Sequence, residues 1–264
     1  MKYQKYLVIA SKKDIAGMNI ADNLSKFGKF NFLFVDEETI FTENLDQYPI
    51  SQYDFVIFVS KHKSESKEKT ISLHAPGNPG KDAIYGGIPF KVCKTSALFQ
   101  KQLFQKIHEL VKEHDLDKYK ITLECTHHGP LIEKPCVFLE IGSSDEEWKD
   151  RRAGFVVALA LSKTLQEFKQ NTYNEIAIGF GGPHYCPNFN KLQLSSNVAV
   201  SHVVPQYAFP VNEELIKEVI SKTEEEVDFL VLDWKGLNSE QRNSVISICD
   251  KNRIQWKKTS DIEK

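Results

Sequence analysis

The run Ile121-Thr122-Leu123 leads straight into Cys125-Thr126-His127-His128-Gly129-Pro130, and Glu175-Ile176-Ala177-Ile178-Gly179-Phe180 leads into Gly181-Gly182-Pro183-His184-Tyr185. Each reads as a buried strand that stops in glycine, proline and imidazole. A third junction of this kind is Ile71-Ser72-Leu73-His74 followed by Ala75-Pro76-Gly77-Asn78. Buried strands that alternate with helices make an α/β fold. In open α/β sheets, ligands collect beyond the carboxyl ends of the strands. Histidine moves its proton most easily near neutral pH. The sequence therefore points to a polar crevice built from several strand ends.

The remaining pattern supports one α/β domain over residues 1–264, with a mixed, mainly parallel sheet and helices on both faces. Some strands could curl into a smaller subdomain. Leu7–Ala10, Phe30–Val35 and Asp54–Ser60 read as strands, the last of them central. Asp14–Phe27 and Lys94–His114 carry apolar residues at helical spacing. Ser144-Asp145-Glu146-Glu147 matches a capping box and predicts a long helix to about Gln170. Asn197–Val204 and Asp228–Asp233 read as strands, Val211–Ser221 and Ser239–Lys251 as helices, and Ile254–Trp256 as a short last strand. Lys61–Lys69 breaks the pattern. It is polar, serine-rich and lysine-rich, and reads as a solvated loop or, less simply, as a basic segment near a phosphate backbone.

The formal charge of −2, from 34 basic and 36 acidic residues, argues against a surface wholly devoted to nucleic acid. The five cysteines are scattered with no C-x-x-C pair, so a reducing compartment and no disulfide framework are expected. No apolar stretch is long enough for a membrane span, and the expected location is cytoplasmic. The G-x-G-x-x-G, P-loop and G-x-S-x-G motifs are all missing, so neither a dinucleotide, ATP nor a serine nucleophile is inferred. Thr126 and His127 are neighbours on an extended chain and point apart. Cys125 and Cys186 read as small buried fillers. Attack by water is favoured over covalent catalysis.

The candidate chemistry rests on His74, His127, His128, His184 and His202, with Glu124 and Glu140 near them in sequence. A single histidine is most often a satisfied structural group, but five at strand ends suggest a shared purpose. One imidazole could act as a general base. Two or three could hold zinc with Glu124 or Glu140. One could donate to an oxyanion. Gly181 and Gly182 could cradle an anion through their N–H groups, or simply make a tight turn. Lys91, Lys94, Lys101, Lys149, Arg151 and Arg152 fall near the ends of helices that would frame the crevice, and most read as ordinary solvated charges. Arg151-Arg152, close to the Trp148 ring, form the best candidate for a phosphate or base-stacking contact.

Five strings resemble the archaeal and plant type of D-aminoacyl-tRNA deacylase: Leu123–Pro130, Glu140–Trp148, Ile178–Tyr185, Ser201-His202 and His74–Asn78. They run in order from about His74 to Tyr207. The resemblance implies a cytoplasmic hydrolase that cuts the ester between a D-amino acid and the terminal ribose of tRNA. It also implies dependence on zinc and a fold like the peptidyl-tRNA hydrolase and nucleoside phosphorylase group. On this chain the matching motif residues are His127, His128, Glu140, Gly181, Gly182, His184, Tyr185 and His202.

The reading taken into the structure has His128, His184 and Glu140 holding a metal or a water. The Gly181-Gly182 backbone stabilises the oxyanion, and His127 or His202 transfers the proton. His74, Tyr185, Trp148, Arg151 and Arg152 meet the acceptor end of the D-aminoacyl-tRNA. A monomer is expected, with zinc as cofactor. The alternatives are a nucleoside phosphorylase-like enzyme and a non-enzymatic tRNA-binding factor.

Overall fold

The structure is a computed structural model that describes residues 3–262 except Asn44, Asp46, Gln47 and Pro49. Twelve strands and seven α-helices follow one another among these residues. In chain order they are β1 (Tyr6–Ser11), α1 (Ile15–Leu24), β2 (Asn31–Val35), β3 (Phe55–Lys63), β4 (Thr70–His74), β5 (Gly77–Asn78), β6 (Lys91–Val92), α2 (Ala97–Glu113), β7 (Lys120–Leu123) and β8 (Cys136–Ser143). Then come α3 (Asp145–Trp148), α4 (Arg151–Glu167), β9 (Glu175–Phe180), α5 (Pro187–Ser195), β10 (Val198–Val204), α6 (Glu213–Ser221), β11 (Phe229–Leu232), α7 (Ser239–Asn252) and β12 (Trp256–Lys258).

The α/β class is as the sequence implies, but the strands divide between two principal sheets. The larger has the order β2-β1-β3-β8-β4-β7, parallel throughout except between β4 and β8. The smaller, β10-β9-β11-β12, is wholly parallel. Strand β3 is central, and Phe55–Val59 are fully buried, which is why that stretch is apolar at every position. Helix α2 packs against α4 on one side and β10 on the other, so one core is shared by both sheets. Burying a large side chain such as Phe55 or Phe99 in it contributes about 1.5–3 kcal/mol.

The helix expected from Ser144 to about Gln170 is two helices. The capping box closes α3 through Ser144 and Glu147. Asp150 then starts α4 afresh, accepting from the N–H groups of Arg152 and Ala153. Asn19 of α1 locks the break by donating to the carbonyls of Trp148 and Asp150, 3.2 and 2.8 Å away. No helix among the described residues is long and apolar enough to cross a membrane. All five cysteines are buried and unpaired.

Candidate active site

The carboxylate of Glu124, in the turn after β7, is fully buried among imidazoles. Its Oε1 lies 3.0 Å from His62 Nδ1. Its Oε2 lies 3.2 Å from His184 Nε2 and 3.5 Å from His127 Nε2. Neither oxygen has a well-aligned hydrogen-bond donor. Buried polar atoms nearly always have partners, and exceptions mark a missing ion, a missing water or a reactive group. Burial alone would raise the Glu124 carboxyl, but His184, His62 and His74 outweigh it and hold it at about 2.

His62 sits where β3 runs on past the apolar core, two residues beyond Ser60. Strand alternation puts both side chains on the same face. Ser60 Oγ donates to Glu140 Oε1 at 2.6 Å, and Glu140 Oε2 lies 3.5 Å from His62 Nδ1. The other ring nitrogen of His62 is 2.9 Å from the hydroxyl of Tyr185, and Trp148 Nε1 donates to the His62 carbonyl at 3.0 Å. Burial would lower the His62 imidazole, but Glu140 and Glu124 raise it to about 9.

Three further imidazoles share a mode of anchoring. The Nδ1 atoms of His74, His127 and His128 lie 3.2, 2.8 and 2.7 Å from the carbonyls of Ala75, Cys125 and Gly129. A carbonyl only accepts, so each Nδ1 carries the proton and each Nε2 presents a lone pair. The rings pack as a group: His127 is 4.2 Å from His74, 4.3 Å from His128 and 4.6 Å from His184 between centroids. Burial, reinforced by the neighbouring imidazoles, holds His74 and His127 well below the usual histidine range. His127 therefore turns a lone pair toward an ionised carboxylate, an arrangement that needs a proton or cation between the two. His74 Nε2 is likewise buried without a partner.

Backbone bonds stitch this turn to the second sheet. Cys125 N–H donates to the His184 carbonyl at 2.9 Å, and Thr126 N–H to Val203 at 2.8 Å. His184 Nδ1 lies 3.4 Å from both Cys125 Sγ and the Tyr207 hydroxyl. Burial would lower His184; the Cys125 contact and the Glu124 carboxylate raise it to about 11. Beside the cluster opens a cavity of about 480 Å³, with Thr126, His127, His128 and Tyr207 in its wall.

Four close ligand sets arise among the described residues: His62, Glu124 and His184; Cys125, His127 and His184; His74, His127 and His128; and His74, Glu124 and Glu140. The expected trio of His128, His184 and Glu140 is not among them. Its members do lie in one cluster, but Glu124 is the hub, and Glu140 reaches the same Nδ1 of His62 that Glu124 faces.

Other assignments also change. His202 is fully buried outside the cluster, with Nδ1 3.2 Å from Thr126 Oγ1 and Nε2 3.3 Å from the Lys222 carbonyl, so it is structural. Gly181 N–H donates to Val204 O at 2.8 Å and Gly182 N–H to Gly236 O at 3.4 Å, which leaves no oxyanion cradle. Both glycines have positive φ, and a Cβ on them would strike Leu237 and Asp233; they are packing glycines. Arg151 pairs with Asp22, and Arg152 donates to the His114 carbonyl, so both guanidiniums are engaged within the protein. His74 is too deeply buried to meet a substrate. Tyr185 and Trp148 act on His62.

His62 itself escapes a reading by composition, because it lies inside the lysine-rich Lys61–Lys69 stretch. The alternation Phe58, Ser60, His62 is the one signal that finds it. Two of the four lysines there are paired, Lys61 with Glu38 at 2.7 Å and Lys69 with Glu147 at 3.1 Å. Lys101, expected at the surface, is buried and donates to three backbone carbonyls.

A family-level sequence pattern described as D-aminoacyl-tRNA deacylase matches residues 50–257. The chain belongs to the D-aminoacyl-tRNA deacylase family. A curated member from Methanocaldococcus jannaschii is 35% identical over 261 residues, covering 96% of this chain and 99% of that one. Another from Pyrococcus furiosus is 36% identical over 261 residues, covering 89% and 93%. A solved structure, described as a conserved protein of unknown function, superposes with a TM-score of 0.90 at 28% identity over 99% of this chain and 98% of that one.

Proposed function

We propose that Glu124 and the imidazoles around it form the hydrolytic centre of a D-aminoacyl-tRNA deacylase. Membership of the family supplies the activity: the enzyme hydrolyses the ester that joins a D-amino acid to tRNA. That favours the deacylase over a phosphorylase-like enzyme or a non-catalytic tRNA-binding factor. The observation that carries the location is the buried carboxylate whose two oxygens lack aligned donors while three imidazoles face them.

This donor set fits zinc, which takes carboxylate oxygen and imidazole nitrogen. His62, Glu124 and His184 would hold it. Bound zinc supplies Lewis acidity at neutral pH. The protein supplies the rest. The ester enters from the cavity lined by Thr126, His127, His128 and Tyr207. His127, neutral and with its Nε2 lone pair free, takes a proton from the attacking water. Tyr185 holds the His62 ring at Nε2, leaving Nδ1 toward Glu124 for the metal, and Cys125 and Tyr207 hold the His184 ring at Nδ1, leaving its Nε2. A tRNA substrate fits a cytoplasmic location.

The test is amino acid release from D- and L-tyrosyl-tRNA, with and without a chelator, alongside the zinc content of the protein. The proposal expects zinc bound, release from the D-ester alone, and loss of turnover on chelation that zinc restores. Full activity in metal-free protein would remove the zinc assignment.

A further inference from the structure

The smaller sheet carries unpaired charge at the same end as the hydrolytic turn. Strands β9 and β11 run parallel, with Phe180 opposite Leu232, so they end side by side. Two residues past Phe180 comes Gly182, which leads to His184; two residues past Leu232 comes Trp234. The two loops touch, since Gly182 N–H donates to the Gly236 carbonyl at 3.4 Å. Helix α7 reaches the cavity rim, where Gln241 Nε2 donates to the Gln206 carbonyl at 3.0 Å, next to Tyr207. The Trp234 loop thus borders the hydrolytic face without entering its chemistry.

Trp234 serves as a platform for cations. Strand alternation sets Trp256 and Lys258 on one face of β12 and Lys257 on the other, where its ammonium lies 3.9 Å from the Phe229 ring centre. Trp256 stacks parallel to Trp234 with 6.4 Å between centroids. Arg242 Cζ lies 4.6 Å and Lys258 Nζ 4.4 Å from the centre of the Trp234 ring. Lys235, next in the chain, is exposed. None of these three cations has a carboxylate at ion-pair distance among the described residues, whereas nearby Lys251 and Lys257 pair with Glu213 and Glu175 at 2.7 Å. The carboxylate of Asp261 is taken up by the Lys258 N–H and the Ser260 hydroxyl. Two like charges gathered on one ring without a counterion repel each other, and an anion from outside relieves that repulsion.

We infer that this platform holds the sugar-phosphate backbone of the tRNA acceptor arm, with phosphates at Arg242, Lys258 and Lys235. The inference rests on the deacylase reading: the ester lies at the end of a polyanion, and the phosphates that lead up to it must cross the rim of the site. A protein with a formal charge of −2 attracts RNA only through a local excess of positive charge. The ring attracts both cations and holds two long side chains in place, which lowers the cost of ordering them on contact. Phosphate is the partner here and not a base, because Trp256, Arg242 and Lys258 already cover the Trp234 ring. Arg242 keeps donors to spare. Its Nη1 donates to the Trp234 carbonyl at 2.9 Å and its Nη2 to Ser239 Oγ at 3.1 Å, which leaves further N–H groups of the guanidinium free. Phosphate contacts set position without reading sequence, so the platform accepts acceptor arms of any sequence.

The experiment compares wild-type protein with Lys258→Gln, with the double variant Lys235→Gln/Lys258→Gln, and with Lys106→Gln as a charge-matched control. Lys106 lies on α2 and pairs with Glu109 at 2.9 Å. Arg242 is left in place because its bonds brace the loop, and melting curves establish that each variant is folded. Binding of uncharged tRNA is measured against salt concentration. Hydrolysis of D-tyrosyl-tRNA is compared with that of D-tyrosyl-adenosine, which keeps the ester and carries no phosphate. The slope of log affinity against log salt should fall by about one for each platform lysine removed. The double variant should raise KM for D-tyrosyl-tRNA about ten-fold, with kcat and hydrolysis of D-tyrosyl-adenosine within about two-fold of wild type. Lys106→Gln should leave slope and KM near wild type. An unchanged slope and KM in the folded double variant would overturn the inference. So would an equal fall in slope in Lys106→Gln, which would reduce the effect to net charge, or equal losses on the two esters, which would tie the lysines to the hydrolytic centre. A wild-type protein that cleaves neither ester, while the slopes change as expected, would defeat the deacylase reading and leave the RNA platform standing.

Discussion

His184 and His202 both follow apolar runs, yet they differ in what their ring nitrogens can still do. Both nitrogens of His202 are engaged by Thr126 and Lys222, whereas His184 turns Nε2 to a buried carboxylate. His184→Ala should lower single-turnover deacylation by ~10²-fold or more. His202→Gln should stay within a few-fold of wild type. Equal losses in the two variants would show that the distinction is wrong. Burial pushes the His202 imidazole down to about 4, so the folded state favours its neutral form. Its contribution to stability is complete above the unfolded value near 6.5 and is lost as pH falls toward 4. The full shift corresponds to roughly 3 kcal/mol, with about 2 kcal/mol gone by pH 5. Urea unfolding at pH 7.5 and pH 5 should show this loss in wild type and less of it in His202→Gln. The sequence revealed that imidazoles would gather but not which of them, because ring contacts depend on distant partners. Thr126 and Lys222 flank His202 only in three dimensions, and the acceptors of Gly181 and Gly182 are Val204 and Gly236.

At the scale of elements, most strands and helices were legible from apolar period and caps. The exceptions have physical causes. Strand β3 continues through Lys61–Lys63 because its pairing with β8 runs on to Ser143, although its composition turns polar at the sheet end. The helix expected after Ser144 breaks because Asp150 caps a new one, and a mid-sequence Asp gave no strong signal. Asp150 also accepts from the Tyr119 hydroxyl at 2.9 Å. Asp150→Ala should cost about 1–2 kcal/mol in urea unfolding, the usual range for losing an N-cap. Helix α5 went unread because it is short and only weakly amphipathic, and its helical start at Pro187 lies just past the histidine turn. It is held to α2 by Lys101, which donates to the carbonyls of Gln193, Ser196 and Val198 at 2.7, 3.0 and 3.0 Å. Lys101→Met removes the donor shared by three carbonyls, of which Gln193 O keeps Gln105 Nε2 at 3.3 Å, and should destabilise by about 2–4 kcal/mol in the same measurement. A change below ~0.5 kcal/mol would mean that water replaces the ammonium there.

Across the whole molecule, the site joins two sheets. His62 comes from the end of β3 and Glu124 from the turn after β7, both in the larger sheet; His184 follows β9 in the smaller. A cation held by these three would clamp one sheet to the other. Binding to the folded state alone stabilises it by mass action. Chelation should therefore lower the melting temperature of wild type by several degrees, and that of His62→Ala by less. The division into two sheets lay beyond the sequence, since the parallel strands of both are equally apolar and only their pairing separates them.

The most direct measurement is single-turnover hydrolysis of D-tyrosyl-tRNA by Glu124→Gln, a change that keeps the side chain's shape and removes its charge. With melting behaviour near that of wild type, the rate should fall by ~10²-fold or more and bound zinc should drop with it. A folded Glu124→Gln protein that cleaves the ester within ten-fold of the wild-type rate would contradict Glu124 as the hub of the hydrolytic centre.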